Sequence, residues 1–220
     1  MSDSEERRCI IGISGVHGIG GINGHKFLRF IYDGVKKAED RGIIRKTCFT
    51  EFSEPIKQIL RMWYGFDQKF LSKEINSTRR HKHRDGVMPL DFVQRSMTFY
   101  RNLISEDVFI KMMEWQTAKF KNVIFIDVHY ANEASFVRCI GGKMIHFRDR
   151  RKSFLQGHES ERLLKPVPGD IIYTYDKGNY AKDEKNLVLN RELKNFVNGS
   201  ILDLLNPNIR SEDEKQIVEK

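Results

Sequence analysis

The chain has 220 residues, 38 Lys and Arg against 30 Asp and Glu, a net charge of +8, 40% hydrophobic residues and three cysteines. This apolar content supplies a core for one α/β domain or two small ones, and no apolar run approaches the roughly 18 residues that a membrane-spanning helix needs. Met1 to Arg8 is polar, without the apolar stretch of a signal peptide. Cys9, Cys48 and Cys139 are odd in number and far apart, so they read as free thiols in a reducing compartment. The expectation is a cytoplasmic protein with no membrane partner.

In chain order, residues 8–14 form a β-branched apolar run ending at glycine, which predicts a buried strand. A glycine-rich stretch from Gly15 to Gly24 precedes a helix expected over about 22–38. Residues 44–52 read as a second strand. Ser53 and Pro55 then suit the N-cap and first turn of a three-turn helix. Residues 72–88 are polar, basic and loop-like. Leu90, Val93, Met97, Tyr100 and Ile104 recur at three- and four-residue steps and predict an amphipathic helix over 89–104.

Ser105 marks the N-cap of the next helix, which carries Phe109, Met112, Met113 and Phe120. Residues 123–127 form an apolar run ending in Asp127, a strand buried on both faces. A helix over 131–140 closes at Gly141-Gly142 before a strand at 143–147. A basic segment, about 148–165, has the character of a lid. A last strand at 170–174 and a helix near 187–205 follow. Residues 1–7 and 207–220 read as tails. Alternating strands and helices predict a single α/β domain over 1–220, with a central parallel sheet covered on both faces.

Three features carry chemistry. A strand running through glycines into a helix presents backbone N–H groups and a positive helix end to an anion. Gly15 and Gly20 keep the spacing of a phosphate loop, but Gly21 stands where that loop has lysine, and Ile22 where it has a hydroxyl. Asp127 ends a hydrophobic strand, a suitable place for an acid near magnesium. His129, Asn132 and Glu133 follow it at the carboxyl edge of the sheet, where open α/β sheets bind ligands. Arg148, Arg150 and Arg151 form a basic group able to close over phosphates with bidentate contacts.

A further basic run at Arg79 to Arg84 points to phosphate-bearing partners. Nucleic acid is the weaker choice, because no RRM, zinc-finger or helix-turn-helix pattern is present. The seven histidines show no HExxH spacing and no cysteine partner for zinc.

With these segments in order, the chain from about residue 8 to 203 resembles the bacteriophage-type deoxynucleoside monophosphate kinases, also found in some large DNA viruses. Ile11 to Gly15 with Gly18 and Gly20 looks like that family's first strand and phosphate loop. Phe52-Ser-Glu-Pro55-Ile-Lys57 is similar to its "FAxPLK" helix start, and Gln94 and Thr98 keep two positions of its "LQxxGT" helix. Asp127-Val-His-Tyr-Ala-Asn132-Glu133 is similar to "DVRFxNE", and His158-Glu-Ser160-Glu161 to "HxSE".

The resemblance implies a P-loop nucleoside-monophosphate-kinase-like fold. It implies transfer of the ATP γ-phosphate to a deoxynucleoside monophosphate (dNMP), with Mg²⁺, for DNA precursor synthesis, in the host cytoplasm if the protein is viral. Gly15, His17, Gly18, Gly20, Gly21 and Lys26 would then hold ATP. Asp127 would act at the metal and, with Arg148, Arg150 and Arg151, in catalysis. Lys57, Gln94, Thr98, His129, Asn132 and Glu133 would serve the dNMP. Homodimers are common among such kinases. A catalytically impaired fold that binds nucleotide or protein is the alternative, since Gly21 replaces the lysine and His129 the arginine of "DVRF".

Overall fold

The computed structural model describes residues 8–15, 22–65, 89–149, 164–175 and 187–206. The chain divides into two compact units, one comprising 1–49 with 119–220 and the other 50–118.

The first unit is built on a five-stranded parallel sheet in the order β2-β3-β1-β4-β5. Its strands are β1 (Cys9–Ser14), β2 (Thr47–Thr50), β3 (Asn122–Phe125), β4 (Lys143–Asp149) and β5 (Ile171–Tyr175). β1 lies at the centre, with Ile11 opposite Ile124 on β3 and Ile13 opposite Ile145 on β4. Every residue of β1 is buried, which is why its sequence is almost continuously apolar rather than alternating.

Side chains alternate across the sheet, so the two faces of β1 have different partners. Ile11 and Ile13 join Ile124, Ile145 and Phe147 in a core that includes Phe27, Ile31 and Val35 of helix α1 (Ile22–Asp40). The same core takes in Leu193 and Val197 from the C-terminal helical segment. On the opposite face, Gly12 lies against Met144 and Val137, and Phe125 meets Phe136 edge-on at 6.1 Å. Val137 and Phe136 belong to the helix Ala131–Cys139 that joins β3 to β4. The connection from β1 and the connection from β3 therefore cover opposite faces of the sheet.

The second unit contains α2 (Glu54–Tyr64), α3 (Pro89–Leu103) and α4 (Val108–Thr117). Phe52, Ile56, Leu60, Val93, Phe109 and Met113 are its buried apolar residues. Pro55 lies in the first turn of α2 and Gly65, at φ 66°, ends that helix by donating to the Arg61 carbonyl. Ser53 occupies the expected N-cap position, but its hydroxyl donates to Glu51 instead of accepting from the helix.

The expected helix over 131–140 is α5 (Ala131–Cys139). The expected C-terminal helix is α6 (Leu187–Phe196) and α7 (Leu202–Leu205), joined by a π-turn at Val197–Ile201. No described helix is long and apolar enough to cross a membrane.

Candidate functional site at the carboxyl edge of the sheet

Because the outgoing connections of β1 and β3 diverge to opposite faces, a crevice opens beyond the carboxyl ends of these neighbouring strands. Such switch points are where open α/β sheets receive ligands. The residues that β1 and β3 deliver to this edge are Gly15 and Asp127.

Gly15 follows β1 immediately, at φ 78°. A Cβ there would overlap the Phe147 carbonyl oxygen and lie 3.2 Å from the Phe147 carbonyl carbon. Glycine is required both by the left-handed conformation and by the close passage over the β4 backbone. His17, Gly18, Gly20 and Gly21 lie outside the described residues. The chain resumes at Ile22 with α1, on which Lys26 falls.

Asp127 sits two residues beyond the end of β3 at Phe125, so the strand expected over 123–127 stops short of it. Its φ is 63°, and it is the one non-glycine residue at positive φ among the described residues. A left-handed aspartate costs free energy that the surroundings must offset, a condition common at ligand sites. Three restraints hold the turn. Val128 N–H donates to the Ile13 carbonyl of β1 at 2.8 Å. Asp127 Oδ1 lies 2.8 Å from His129 Nε2. The Glu133 carboxylate, on a residue 1% exposed, accepts the N–H groups of His129 (3.0 Å) and Tyr130 (3.1 Å).

Asn132 Oδ1 accepts the Glu133 N–H at 3.0 Å. Asn132 and Glu133 thus brace the turn that carries Asp127 and His129. Glu133 performs this task as the third residue of α5, reaching back as in half of a capping box.

Arg148 lies near the carboxyl end of β4, half-buried and opposite Thr174 of β5. β4 continues to Asp149, so the first two residues of the expected lid-like segment belong to the sheet. Arg150 and Arg151 lie outside the described residues. Gly15, Asp127, His129, Asn132, Glu133 and Arg148 therefore share one edge of one unit.

Lys57, Gln94 and Thr98 belong to the 50–118 unit. Lys57 is buried on α2 and ion-paired with Glu51. Gln94 and Thr98 are exposed one turn apart on α3, where the Thr98 hydroxyl donates to the Gln94 carbonyl at 3.0 Å.

A polar network beneath the crevice has no counterpart in the sequence reading. Ser14 Oγ lies 2.7 Å from His146 Nδ1, and His146 Nε2 lies 2.9 Å from Asp170 Oδ2. Asp170 accepts two hydrogen bonds from Arg138, at 3.0 Å from Nε and 2.7 Å from Nη2, and a third from Val167 N–H. Ser14 and His146 are 4% and 6% exposed. Arg138 already balances Asp170, so a proton on His146 would leave an uncompensated buried cation.

Burial first, with Arg138 second in the same direction and Asp170 opposing, keeps the His146 pKa below the ordinary histidine value. For Asp170, burial raises the pKa, but hydrogen bonds from Arg138, Val167 and His146 outweigh it and hold the carboxyl low. The signal available in the sequence was parity: Ser14 and His146 are polar residues inside apolar strands, and buried polar groups require partners.

Among the described residues, no group of three His, Cys, Asp or Glu side chains could hold a metal ion. A lone carboxylate such as Asp127 suits Mg²⁺, which binds through one or two carboxylates together with phosphate oxygens and water. No family model matches the chain, and no curated protein matches it in sequence.

Proposed function

We propose that the chain is a deoxynucleoside monophosphate kinase-like protein, using ATP and Mg²⁺ to phosphorylate a dNMP. The observation that carries this reading is the meeting of Gly15 and Asp127 at the divergence of β1 and β3, with the Val128–Ile13 hydrogen bond fixing their proximity. A glycine-lined backbone offers N–H groups to phosphates, and a carboxylate alongside suits a phosphate-bound cation. The bound Mg²⁺ would neutralise charge on the transferring phosphoryl group.

In this reading Gly15, Gly18, Gly20 and Gly21 line the ATP phosphates. Asp127 is pre-aimed by its turn and by His129. Arg148, Arg150 and Arg151 supply positive charge at the outer side. Lys57, Gln94, Thr98 and His129 receive the dNMP, and Asn132 and Glu133 hold the aspartate turn in place. Phosphoryl transfer depends on positioned positive charge more than on covalent chemistry, so Gly21 in place of lysine favours a second reading. In that reading the fold binds nucleotide or protein without turnover.

A coupled ADP-release assay with ATP, Mg²⁺ and each dNMP in turn separates the two. The kinase reading expects turnover that depends on both magnesium and one deoxynucleotide. Silence in the native chain with turnover in Gly21→Lys identifies a binding fold disarmed at its loop. Silence in both, with nucleotide still bound, refutes the enzyme.

A further inference from the structure

The network Ser14–His146–Asp170–Arg138 ends one residue before Gly15, at the start of the loop assigned above to phosphate. The hydrogen positions along it follow from the acceptors. Ionised Asp170 can only accept, so His146 Nε2 carries a hydrogen and donates to it. Neutral His146 then has Nδ1 as an acceptor, and the Ser14 hydroxyl donates to it. At rest, therefore, the hydroxyl at the end of β1 points its hydrogen toward the sheet interior.

We propose that Ser14 and His146 form a proton-loaded donor for an anion held by the loop after β1, so that phosphate binding and protonation of His146 occur together. When a phosphate oxygen arrives, the Ser14 O–H turns from Nδ1 to the anion. His146 takes one proton from solvent at Nδ1 and donates it to Ser14 Oγ. The chain then reads Nδ1–H to Oγ, and O–H to phosphate, with Nε2–H still on Asp170. One positive charge has been added beneath the loop, in a chain whose loop has glycine in the lysine position. This inference rests on the phosphate reading of that loop.

The electrostatics agree with a charge that is absent until called for. Among the described residues, the charged groups bonded around His146 are Asp170, preceding β5, and Arg138 on α5. Arg148 lies two residues further along β4, on the same face of the sheet. In the free protein Arg138 satisfies Asp170 and burial opposes a second cation, which keeps His146 neutral. A bound phosphate supplies the missing counter-charge. By linkage, an anion that raises the histidine pKa must itself bind more tightly as pH falls.

The test uses the full chain and inorganic triphosphate as the probe. Isothermal titration calorimetry in two buffers of different ionisation enthalpy measures protons taken up on binding. Nitrogen-15 NMR of the histidine ring follows its protonation directly. The expected result has three parts: net proton uptake, approaching one proton per anion at a pH between the free and bound pKa values; affinity rising with falling pH by up to about tenfold per unit, the limit for one linked proton; and an Nδ1 resonance that becomes protonated on binding.

Ser14→Ala should keep the fold, weaken triphosphate binding and lose the proton uptake. His146→Gln should lose the uptake as well. Binding without proton uptake, with His146 neutral throughout, overturns the relay and leaves the phosphate reading standing. Absence of any triphosphate binding to the native chain overturns both. The NMR measurement on the native chain decides the matter even if a variant fails to fold.

Discussion

Replacing Gly15 with alanine tests the geometry that the site depends on, and Gly141 provides a matched control. Both glycines have nearly the same positive φ, 78° and 79°. They differ in surroundings: a Cβ at Gly141 meets nothing within 4 Å, whereas one at Gly15 overlaps the Phe147 carbonyl oxygen. Gly141→Ala should therefore show the conformational penalty alone, roughly 1–2 kcal/mol for an L-residue in the left-handed region. Gly15→Ala carries that penalty together with a backbone clash that side-chain rotation cannot relieve, adding about 1–3 kcal/mol as in overpacked cores.

With a urea m-value of about 2 kcal/mol per molar, the excess shifts the unfolding midpoint by roughly 0.5–1.5 M beyond the control. Far-UV circular dichroism during urea titration of the three proteins gives the midpoints. Equal shifts for the two alanine variants would refute the claim that β1 leaves the sheet tightly over the β4 backbone. The phosphate-loop interpretation would then lose its structural footing at its first residue.

The other predictions concern charge and strain. Glu51→Ala removes the partner of buried Lys57 and should destabilise by about 3–5 kcal/mol, the usual cost of an uncompensated buried charge; a melting temperature unchanged from the native chain would refute it. Asp127→Gly relieves the positive φ. It should leave stability unchanged or raise it by about 1 kcal/mol while abolishing any magnesium-dependent turnover, and thermal melts with the ADP assay check both. Native stability should fall as pH drops below the unfolded histidine value of 6.5, because unfolded histidine then binds a proton that buried His146 resists. A second decline follows below the ordinary aspartate value of 3.8, where protonation of Asp170 begins to favour the unfolded state. Urea titrations of the native chain and His146→Gln across pH 3–8 should show the first decline reduced in the variant.

The elements that were legible in the sequence are those whose local pattern and tertiary environment agree. β1 reads as a buried strand because both of its faces are covered, and α1 and α3 carry apolar residues at helical steps. Asp127 was legible as a functional residue but not as a strained one. Its sequence context, an apolar run ending in an acid, looks the same whether the strand ends at Asp127 or at Phe125. Only the hydrogen bond from Val128 to Ile13 shows that the backbone has already turned. Likewise Ser53 and Ser105 have the composition of helix caps, yet the Ser53 hydroxyl goes to Glu51 and Ser105 accepts from Asp107 N–H one turn early.

The Ser14–His146–Asp170–Arg138 network was illegible for a different reason. Its members are separated by 132, 24 and 32 positions, and no spacing rule joins residues that meet only through strand register. What brings them together is the pairing of Ser14 with His146 across parallel β1 and β4, with Asp170 delivered at the start of β5. A one-residue slip of that register would turn His146 to the opposite face of the sheet, among Phe27, Ile31 and Val35, where no described residue offers it a carboxylate. The same register that buries Ile13 against Ile145 thus also sets the polar chain under Gly15. The apolar core and the ionisable groups of the site are two faces of one strand pairing, and neither can be moved without the other.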